Sequence, residues 1–391
     1  MTSLDLTAFD FQKPLSLYIH VPFCEAKCSY CAFYSIPDKD LELKQLYVKR
    51  LLSELDVVVS AMEGRPFETA YLGGGNPGCL GLENLAKLAA KVCGNGRPKE
   101  FTVEMNPDSL TSDMIGEASP FNGGFTRLSL GIQSLSERAL KFLGRNATLS
   151  QTYNGLELSQ KLNSKTGCEL SYDLITCLGS WHEPLEDVKT LTEIFPSNHL
   201  SVYALTLEEG TPLYKRKPNL PDEDQQYEIL TELWSYLEQK GFEHYEVSNF
   251  AKAGKRGLHN CRYWAYQPYL GLGPGAASTA MKGEMVTRWN AGKSVLEYVK
   301  GKAFEGYEVE QLSRVEALEE LVLMGLRYKG GLDLARVRDE FGVKRALEVG
   351  KAPFEVAGFE RKGNFLVPLD EGLMIADYVA QKVIEILTKM C

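Results

Sequence analysis

The chain has no surplus of positive charge, few histidines and no long hydrophobic run. Its formal net charge is -9, whereas a general nucleic-acid binder needs surplus lysine and arginine to neutralise phosphates. No apolar stretch approaches the ~18–20 residues that span a bilayer, and the first fourteen residues lack the apolar core of a signal peptide. We therefore expect a cytoplasmic protein with no integral membrane segment and no nucleic-acid partner.

Cysteine is present but unevenly placed. Of nine cysteines, only Cys24, Cys28 and Cys31 lie close together. In the cytoplasm disulfides are disfavoured, so a tight cysteine group more often serves metal binding or catalysis. The remaining six are expected to be small buried apolar residues; they are Cys79, Cys93, Cys168, Cys177, Cys261 and Cys391.

The length of 391 residues predicts one large and one smaller domain, since single cores rarely exceed about 250–300 residues. Between about residues 15 and 215, short β-like runs alternate with amphipathic helical stretches, which is typical of parallel strands joined by crossover helices. The predicted strands cover residues 15–20, 69–73, 101–105, 127–131, 169–175 and 199–205. The predicted fold is α/β: a partial, open (β/α)6 TIM-like barrel with a smaller, mainly helical C-terminal domain.

The rest of the chain departs from this alternation. A helix is expected at residues 222–240, a loop-rich segment with many glycines and aromatics at 244–278, and mainly helices from about residue 296, with 315–326 strongly amphipathic. We therefore predict a barrel over residues 1–220, a barrel extension with the loop-rich segment over 221–300, and a helical C-terminal domain over 301–391.

Functional groups of a β/α barrel gather where the strands end. Here the cysteine loop follows the first predicted strand and a glycine triplet follows the second. Polar residues, among them Glu104, Gln133 and Asp173, lie at or near the ends of the next three strands, and Ala204 ends the sixth. These residues are expected to share one site.

The spacing of Cys24, Cys28 and Cys31 favours an iron–sulfur cluster. Thiolates are the usual ligands of such clusters, and a 4Fe-4S cubane with three protein ligands keeps one iron open for another molecule. A zinc site is the alternative, but closed zinc sites need four ligands. No fourth cysteine stands nearby in the sequence, although His20 could serve as the fourth ligand.

The segment LYIHVPFCEAKCSYCAFYS resembles the cluster motif of the radical S-adenosylmethionine (SAM) superfamily. Its form is that of the oxygen-independent coproporphyrinogen III oxidase family, which comprises the oxidases and the HemW haem chaperones. YLGGGNP, EMNPDSL, RLSLGIQSL, YEVSNFA and HNCRYW continue the similarity. The resemblance implies a radical SAM barrel, a 4Fe-4S cluster on the three cysteines, and SAM whose reductive cleavage yields a 5′-deoxyadenosyl radical.

The resemblance also implies which residues hold SAM. Tyr18 and Tyr30 flank the cluster loop, and the glycine segment, with Gly74 and Gly75, binds the methionyl amino group. Asn76 replaces the threonine usual in the family. Further polar positions match Glu104, Gln133, Arg145 and Asp173; an arginine can pair with a carboxylate, and an aspartate can accept from ribose hydroxyls. Singly, each residue type is more often a surface, turn or capping group.

Two branches of the family compete. The oxidases carry a fourth cysteine two positions after the third, where this chain has Phe33, and a longer segment before the first strand. These departures, with the HNCRYW motif at residues 259–264, favour a HemW-like chaperone that binds haem and transfers it to an acceptor protein. The alternative is radical decarboxylation of coproporphyrinogen III to protoporphyrinogen IX. Either reading implies an electron donor such as flavodoxin or ferredoxin.

His259 is the candidate haem ligand, because histidine is a familiar axial ligand of haem iron. It opens the HNCRYW motif, and Tyr263 and Trp264 follow closely enough for aromatic faces to flank a porphyrin. In the alternative interpretation, His259 hydrogen-bonds a backbone carbonyl and Trp264 packs in the core between domains.

Overall fold

The computed structural model describes residues 2–282, 285–351 and 355–390. Six parallel strands form the barrel at its centre. Each strand lies within two residues of its expected bounds. Neighbouring strands pair in parallel, with one register shift between Leu130 and Gln133 of the fourth strand. In chain order they are β1 (Ser16–Val21), β2 (Thr69–Gly74), β3 (Glu100–Met105), β4 (Arg127–Gln133), β5 (Glu169–Thr176) and β6 (His199–Ala204). The predicted open α/β barrel is confirmed.

Helices connect these strands and cover the outer face of the sheet. The longest, Leu41–Ala61, begins at Asp40, whose side chain accepts from the amides of Glu42 and Leu43 and so satisfies the free N–H groups of the first turn. The connecting helices are α1 (Leu41–Ala61), α2 (Gly81–Val92), α3 (Glu137–Leu143), α4 (Leu149–Thr166), α5 (Pro184–Glu193), α6 (Pro212–Arg216) and α7 (Glu223–Gln239).

Further strands extend the sheet at both edges of the barrel. The segment predicted to be loop-rich contains a short helix and several strands. Glycines lie in the tight connections between these elements. The elements are β7 (Glu243–Glu246), β8 (Asn249–Ala251), α8 (Leu258–Trp264), β9 (Tyr269–Leu272), β10 (Ala277–Lys282), β11 (Met285–Ala291) and α9 (Val295–Lys300). β8 pairs antiparallel with β6, and β9 pairs parallel with β1.

The C-terminal region is mainly helical, as predicted, and also contains short strands. Glu305–Leu312 forms β12, which pairs with β11 in the main sheet. Short strands at Leu332–Asp333, Phe359–Lys362 and Phe365–Pro368 form a small separate sheet. The helices are α10 (Arg314–Leu326), α11 (Leu334–Phe341), α12 (Asp370–Met374) and α13 (Ala376–Lys389). A second hydrophobic core forms here, apart from that of the barrel, while the three predicted domain boundaries stay predictions.

The strands of the barrel are apolar on their outer face and polar on their inner face. Leu17, Leu72 and Val103 are fully buried in the hydrophobic core. The residues between them along the strands point inward, because side chains alternate along a strand. Inside the barrel, Ser16 hydrogen-bonds Thr69 (Oγ to Oγ1, 2.9 Å). Polar side chains therefore fill space that bulky aliphatic residues occupy in closed eight-stranded barrels.

Helix α8 closes the end of the barrel at which the strands begin. The carboxylate of Glu100, at the start of β3, accepts from the backbone amides of Leu258 (2.9 Å) and His259 (3.0 Å). The same carboxylate also accepts a hydrogen bond from the Nε of Arg127 (3.1 Å). Since both partners of this ion pair are buried, one charged group holds α8, β3 and β4 together.

No helix in the described ranges is long and apolar enough to cross a membrane.

Glu100→Gln is expected to lower the free energy of unfolding by about 3–5 kcal/mol, because it leaves the charge of Arg127 buried without its partner. Chemical denaturation of the purified protein measures this loss. Glu186→Gln is the control, since Glu186 pairs with Lys189 at the surface and its loss should change stability little. Equal small effects of both substitutions would contradict a central role for Glu100.

Candidate SAM and cluster site

A cavity of about 410 Å³ lies at the end of the barrel where the strands finish. The cluster loop forms one side, and the ends of β2 to β6 form the rest. The predicted site residues that line it are Cys24, Cys28, Tyr30, Cys31, Gly74, Gly75, Glu104, Gln133, Arg145, Asp173 and Ala204. The fold thus brings residues from seven separate stretches of chain to one place.

Backbone hydrogen bonds hold the cluster loop against its neighbours. The amide of Gly75 donates to Val21 O (2.8 Å) and that of Asn76 to Phe23 O (2.7 Å), which ties the loop to the end of β2. On the other side, Ser29 N donates to Leu143 O (3.0 Å) and Ser29 O accepts from Leu213 N (2.8 Å). The loop is therefore fixed between β2, α3 and α6.

The three thiols are half-buried at the cavity wall. Burial raises the pKa of the Cys24 and Cys31 thiols, and the nearby guanidinium of Arg145 opposes this rise. Without metal these thiols are held protonated, so iron must displace their protons when it binds. The Nη1 of Arg145 lies 3.5 Å from Cys28 Sγ.

The geometry fits a cluster better than a single zinc ion. Within the described residues, no three histidine, cysteine or acidic side chains converge on one ion position. His20, which the sequence offers as a fourth zinc ligand, is engaged at both ring nitrogens, with Tyr18 OH (2.9 Å) and Tyr34 O (2.8 Å). A cubane presents separate irons to separate thiolates, so three spaced thiols beside a cavity suit its donor set.

The glycine segment lies too close to its surroundings for any side chain. A Cβ on Gly74 would lie 2.5 Å from the His20 ring, and one on Gly75 would lie 2.5 Å from Phe23 O. Gly74 also has φ of 107°, which other residues rarely adopt. This wall of the cavity therefore presents backbone alone.

Two half-buried carboxyl groups, those of Glu104 and Asp173, form the floor of the cavity. Glu104 accepts from Tyr71 OH (2.6 Å) and from Gly74 N (3.1 Å), and burial, with the charge of Asp173 adding to it, raises its pKa to about 7. Burial also raises the pKa of Asp173, although hydrogen bonds from Ser201 and Ser129 oppose the rise. Both groups can change protonation when a cationic ligand arrives.

Arg145 has one donor without a partner. Its Nη2 donates to Gly131 O (2.7 Å) and to Asn106 Oδ1 (3.0 Å), whereas its buried Nε has no hydrogen-bond partner among the residues the structure describes. A buried donor left unpaired is costly. The position therefore suits an anionic ligand group such as a carboxylate.

Gln133 reaches the cavity through an irregularity in β4. The strand register shifts between Leu130 and Gln133, and Gln133 has φ of 68°, in the left-handed region that costs a non-glycine residue energy. A bulge of this kind re-aims a side chain at the end of a strand. The sequence predicts Gln133 at the site but gives no sign of the strained backbone.

Three predicted site residues do not line the cavity. The Tyr18 hydroxyl is bound to His20. Asn76 is buried, with Nδ2 donating to Ser109 Oγ (2.6 Å) and Oδ1 accepting from Asn106 N (3.2 Å). Its amide thus ties the loops after β2 and β3 to each other.

His259 is the third predicted site residue that does not line the cavity. It lies at the opposite end of the barrel from the cysteines, beside Thr69, the first residue of β2. It is fully buried, with Nδ1 bound to Thr69 Oγ1 (2.9 Å) and Nε2 to Tyr263 OH (2.8 Å). Burial lowers its pKa to about 3. Both nitrogens are occupied, so in this structure the ring has no lone pair for iron. The bonds run to hydroxyls rather than to the backbone carbonyl of the alternative interpretation.

Sequence reasoning missed several residues that support the site. Asn106 holds Arg145, and Ser129 and Ser201 hold Asp173. Alternation could have found the two serines, since they share the inner face of the barrel with Asp173. Among the scattered cysteines, Cys168 and Cys177 are buried as expected, Cys79, Cys93 and Cys261 are only partly buried, and Cys391 lies outside the described residues.

Replacement of Cys24, Cys28 and Cys31 together with alanine should abolish the iron, the sulfide and the broad visible absorption of the anaerobically reconstituted protein. The reason is that these thiolates supply the predicted cluster ligands. Cys93→Ala is the control and should keep its iron. Full iron and sulfide content in the triple variant would place the cluster elsewhere.

Glu104→Gln should become more stable relative to the parent protein as pH rises from about 4.5 to 8. Because the folded pKa is about 7, above the ordinary value of 4.5, the folded state keeps a proton that the unfolded state releases. The parent therefore loses this contribution to stability as pH passes through 7, whereas glutamine does not. Denaturant titrations at a series of pH values measure the difference.

Glu83→Gln is the matched control. Glu83 is exposed and ion-paired with Lys87, which lowers its pKa, so its substitution should give a flat difference above about pH 5. A flat difference for Glu104→Gln as well would show that the pKa of Glu104 is the same in the folded and unfolded states.

Comparison with known proteins places these features in a family. Residues 18–193 match the model of the Radical SAM superfamily. The heme chaperone HemW of Haemophilus influenzae is 30% identical over 380 residues, which cover 93% of this chain and 94% of that protein. The HemW of Bacillus subtilis is 30% identical, covering 89% and 92%, and that of Escherichia coli is 35% identical, covering 67% and 69%.

Among solved structures, the coproporphyrinogen III oxidase HemN of Escherichia coli matches 95% of this chain and 90% of its own, with a TM-score of 0.75 and 19% identity. At that identity the match shows a shared fold. The match to the Haemophilus protein, at 30% identity over nearly its whole length, shows membership of the same family. The chain belongs to the radical SAM superfamily and, within it, to the HemW-like branch of the oxygen-independent coproporphyrinogen III oxidase family.

Proposed function

We propose that this protein is a haem chaperone that holds a 4Fe-4S cluster and SAM at the mouth of its barrel and transfers haem to an acceptor protein. The observation that carries the proposal is the cluster loop itself. Three thiols face one cavity, and at the position of the oxidases' fourth cysteine stands Phe33. The relatives named heme chaperone HemW support the same assignment.

The cluster would be held by Cys24, Cys28 and Cys31, and SAM by the cavity wall opposite them. Bound together, these groups supply reductive cleavage of the sulfonium. The unpaired Nε of Arg145 suits the carboxylate of SAM, and the ionised form of Glu104 beside the glycine wall suits its ammonium group. Asp173, held by two serines, is placed to accept from ribose hydroxyls.

Haem is proposed to bind near the cavity mouth rather than at His259. The side chain of Phe33 is 71% exposed and lines the rim of the cavity. An exposed aromatic ring beside the cluster offers an apolar flat surface to a porphyrin. In contrast, His259 would have to give up one of its two hydrogen bonds and its burial before a ring nitrogen could bind iron.

The partners in this proposal are haem, a haem-acceptor protein and an electron donor of the flavodoxin or ferredoxin kind. We place the protein in the cytoplasm, as the sequence predicts. The alternative function is the oxidative decarboxylation of coproporphyrinogen III, which the fold shared with HemN permits.

Two assays on the anaerobically reconstituted protein separate these functions. With coproporphyrinogen III, SAM and a reductant, we expect slow cleavage of SAM and no protoporphyrinogen. With haem alone, we expect a stoichiometric Soret band and, after mixing with apomyoglobin as a generic acceptor, transfer of that band to the acceptor. Protoporphyrinogen formed at a rate comparable to SAM cleavage would make the protein an oxidase.

The cysteine triple variant and Phe33→Ala serve as controls in the same assays. Loss of SAM cleavage with retained haem binding in the triple variant would separate the two sites. Phe33→Ala should weaken haem binding several-fold and leave iron content unchanged. Unchanged haem affinity in that variant would remove Phe33 from the haem contact.

A further inference from the structure

A second, smaller chamber lies inside the barrel beneath the floor of the SAM cavity. Its volume is about 40 Å³, and its walls are the polar inner faces of β2 to β6 together with Gly257 and Asn260 at α8. It shares Glu104, Ser129, Asp173 and Tyr203 with the larger cavity above. The chamber therefore lies between the SAM site and the HNCRYW helix.

Two polar groups in the wall of this chamber lack a protein partner. Thr102 Oγ1 and Arg127 Nη1 are buried with no hydrogen-bond partner in the described part of the chain. Thr102 is 1% exposed, and the Arg127 side chain is 7% exposed. The two residues are direct neighbours across β3 and β4, so a single small molecule can reach both.

The other donors of Arg127 are already engaged. Its Nε donates to Glu100, and its Nη2 donates to Lys255 O (3.0 Å) and Arg256 O (3.2 Å). The guanidinium is therefore fixed in place, and Nη1 cannot turn to another protein acceptor without breaking these bonds. A buried donor and a buried hydroxyl left unpaired would each cost more stability than a hydrogen bond contributes.

We propose that the chamber binds ordered water, which joins Thr102 and Arg127 to the polar groups around them. A chamber of about 40 Å³ has room for one to three water molecules, since each needs about 10–15 Å³ of this volume. Water fits better than an anion because the carboxylates of Glu100, Glu104 and Asp173 surround the chamber. The bound water continues the polar network from the HNCRYW helix to the two carboxyl groups that face SAM.

Thr102→Val tests this by the sign of its effect on stability. If water occupies the chamber, valine removes one of its partners, so the midpoint of thermal unfolding falls. If the chamber is dry, valine replaces an unpaired hydroxyl with a methyl group of similar size, so the midpoint rises.

Thr279→Val is the matched control. Thr279 is 2% exposed and its Oγ1 also lacks a partner within the described ranges, but it does not line the chamber. Its substitution should raise the midpoint. A rise for both variants would overturn the proposal, whereas a fall for Thr102→Val beside a rise for Thr279→Val supports it.

A crystal structure of the parent protein, at a resolution that shows ordered water, tests occupancy independently of how the variants fold. Density within hydrogen-bond distance of both Thr102 Oγ1 and Arg127 Nη1 is expected. An empty chamber would overturn the proposal. So would a metal ion there, recognised by several short contacts to carboxylate oxygens.

Discussion

The alternation of polar and apolar residues along six parallel strands is the constraint on which the rest of the structure depends. One face of each strand must pack against helices, so it is apolar and buried. The other face turns inward and carries serines, threonines, tyrosines, histidines and charged groups. Because buried polar groups must find partners, the inner faces are forced into a connected hydrogen-bond network. That network fixes where the carboxyl groups and the arginine of the site can lie.

This hydrogen-bond network explains how the site residues and α8 are held in place, which the sequence motifs taken one by one do not explain. Glu104 is held by Tyr71 from the neighbouring strand, and Asp173 is held by serines from the strands on either side. At the other end, His259 and Glu100 bind α8 into the same polar interior. The HNCRYW motif thus closes the barrel, and the cysteine loop opens onto its far end. The two motifs shared with the family serve opposite ends of one structure.

The barrel strands and most of the site could be predicted from the sequence, since strand ends locate side chains and period-two alternation locates faces. Gln133 shows the limit, because its strained backbone follows from a register shift that depends on the neighbouring strand. His259 shows a second limit of prediction from the sequence. A histidine in a motif says nothing of its hydrogen-bond partners, and its partner Thr69 is 190 residues away in the chain. The strand Glu305–Leu312 was missed because Tyr307 is its one buried residue and three of its eight residues are glutamates, so it lacks a clear apolar alternation.

The central claim of this account is that the polar mouth of the barrel binds SAM on the open iron of a three-cysteine cluster. Electron–nuclear double resonance of the reduced, reconstituted protein with SAM labelled at its amino nitrogen and carboxylate tests this most directly. The account predicts hyperfine coupling of both labels to the cluster, together with a change in its electron paramagnetic resonance spectrum when SAM is added. A cluster whose spectrum is unchanged by SAM and shows no coupling to either label would contradict it.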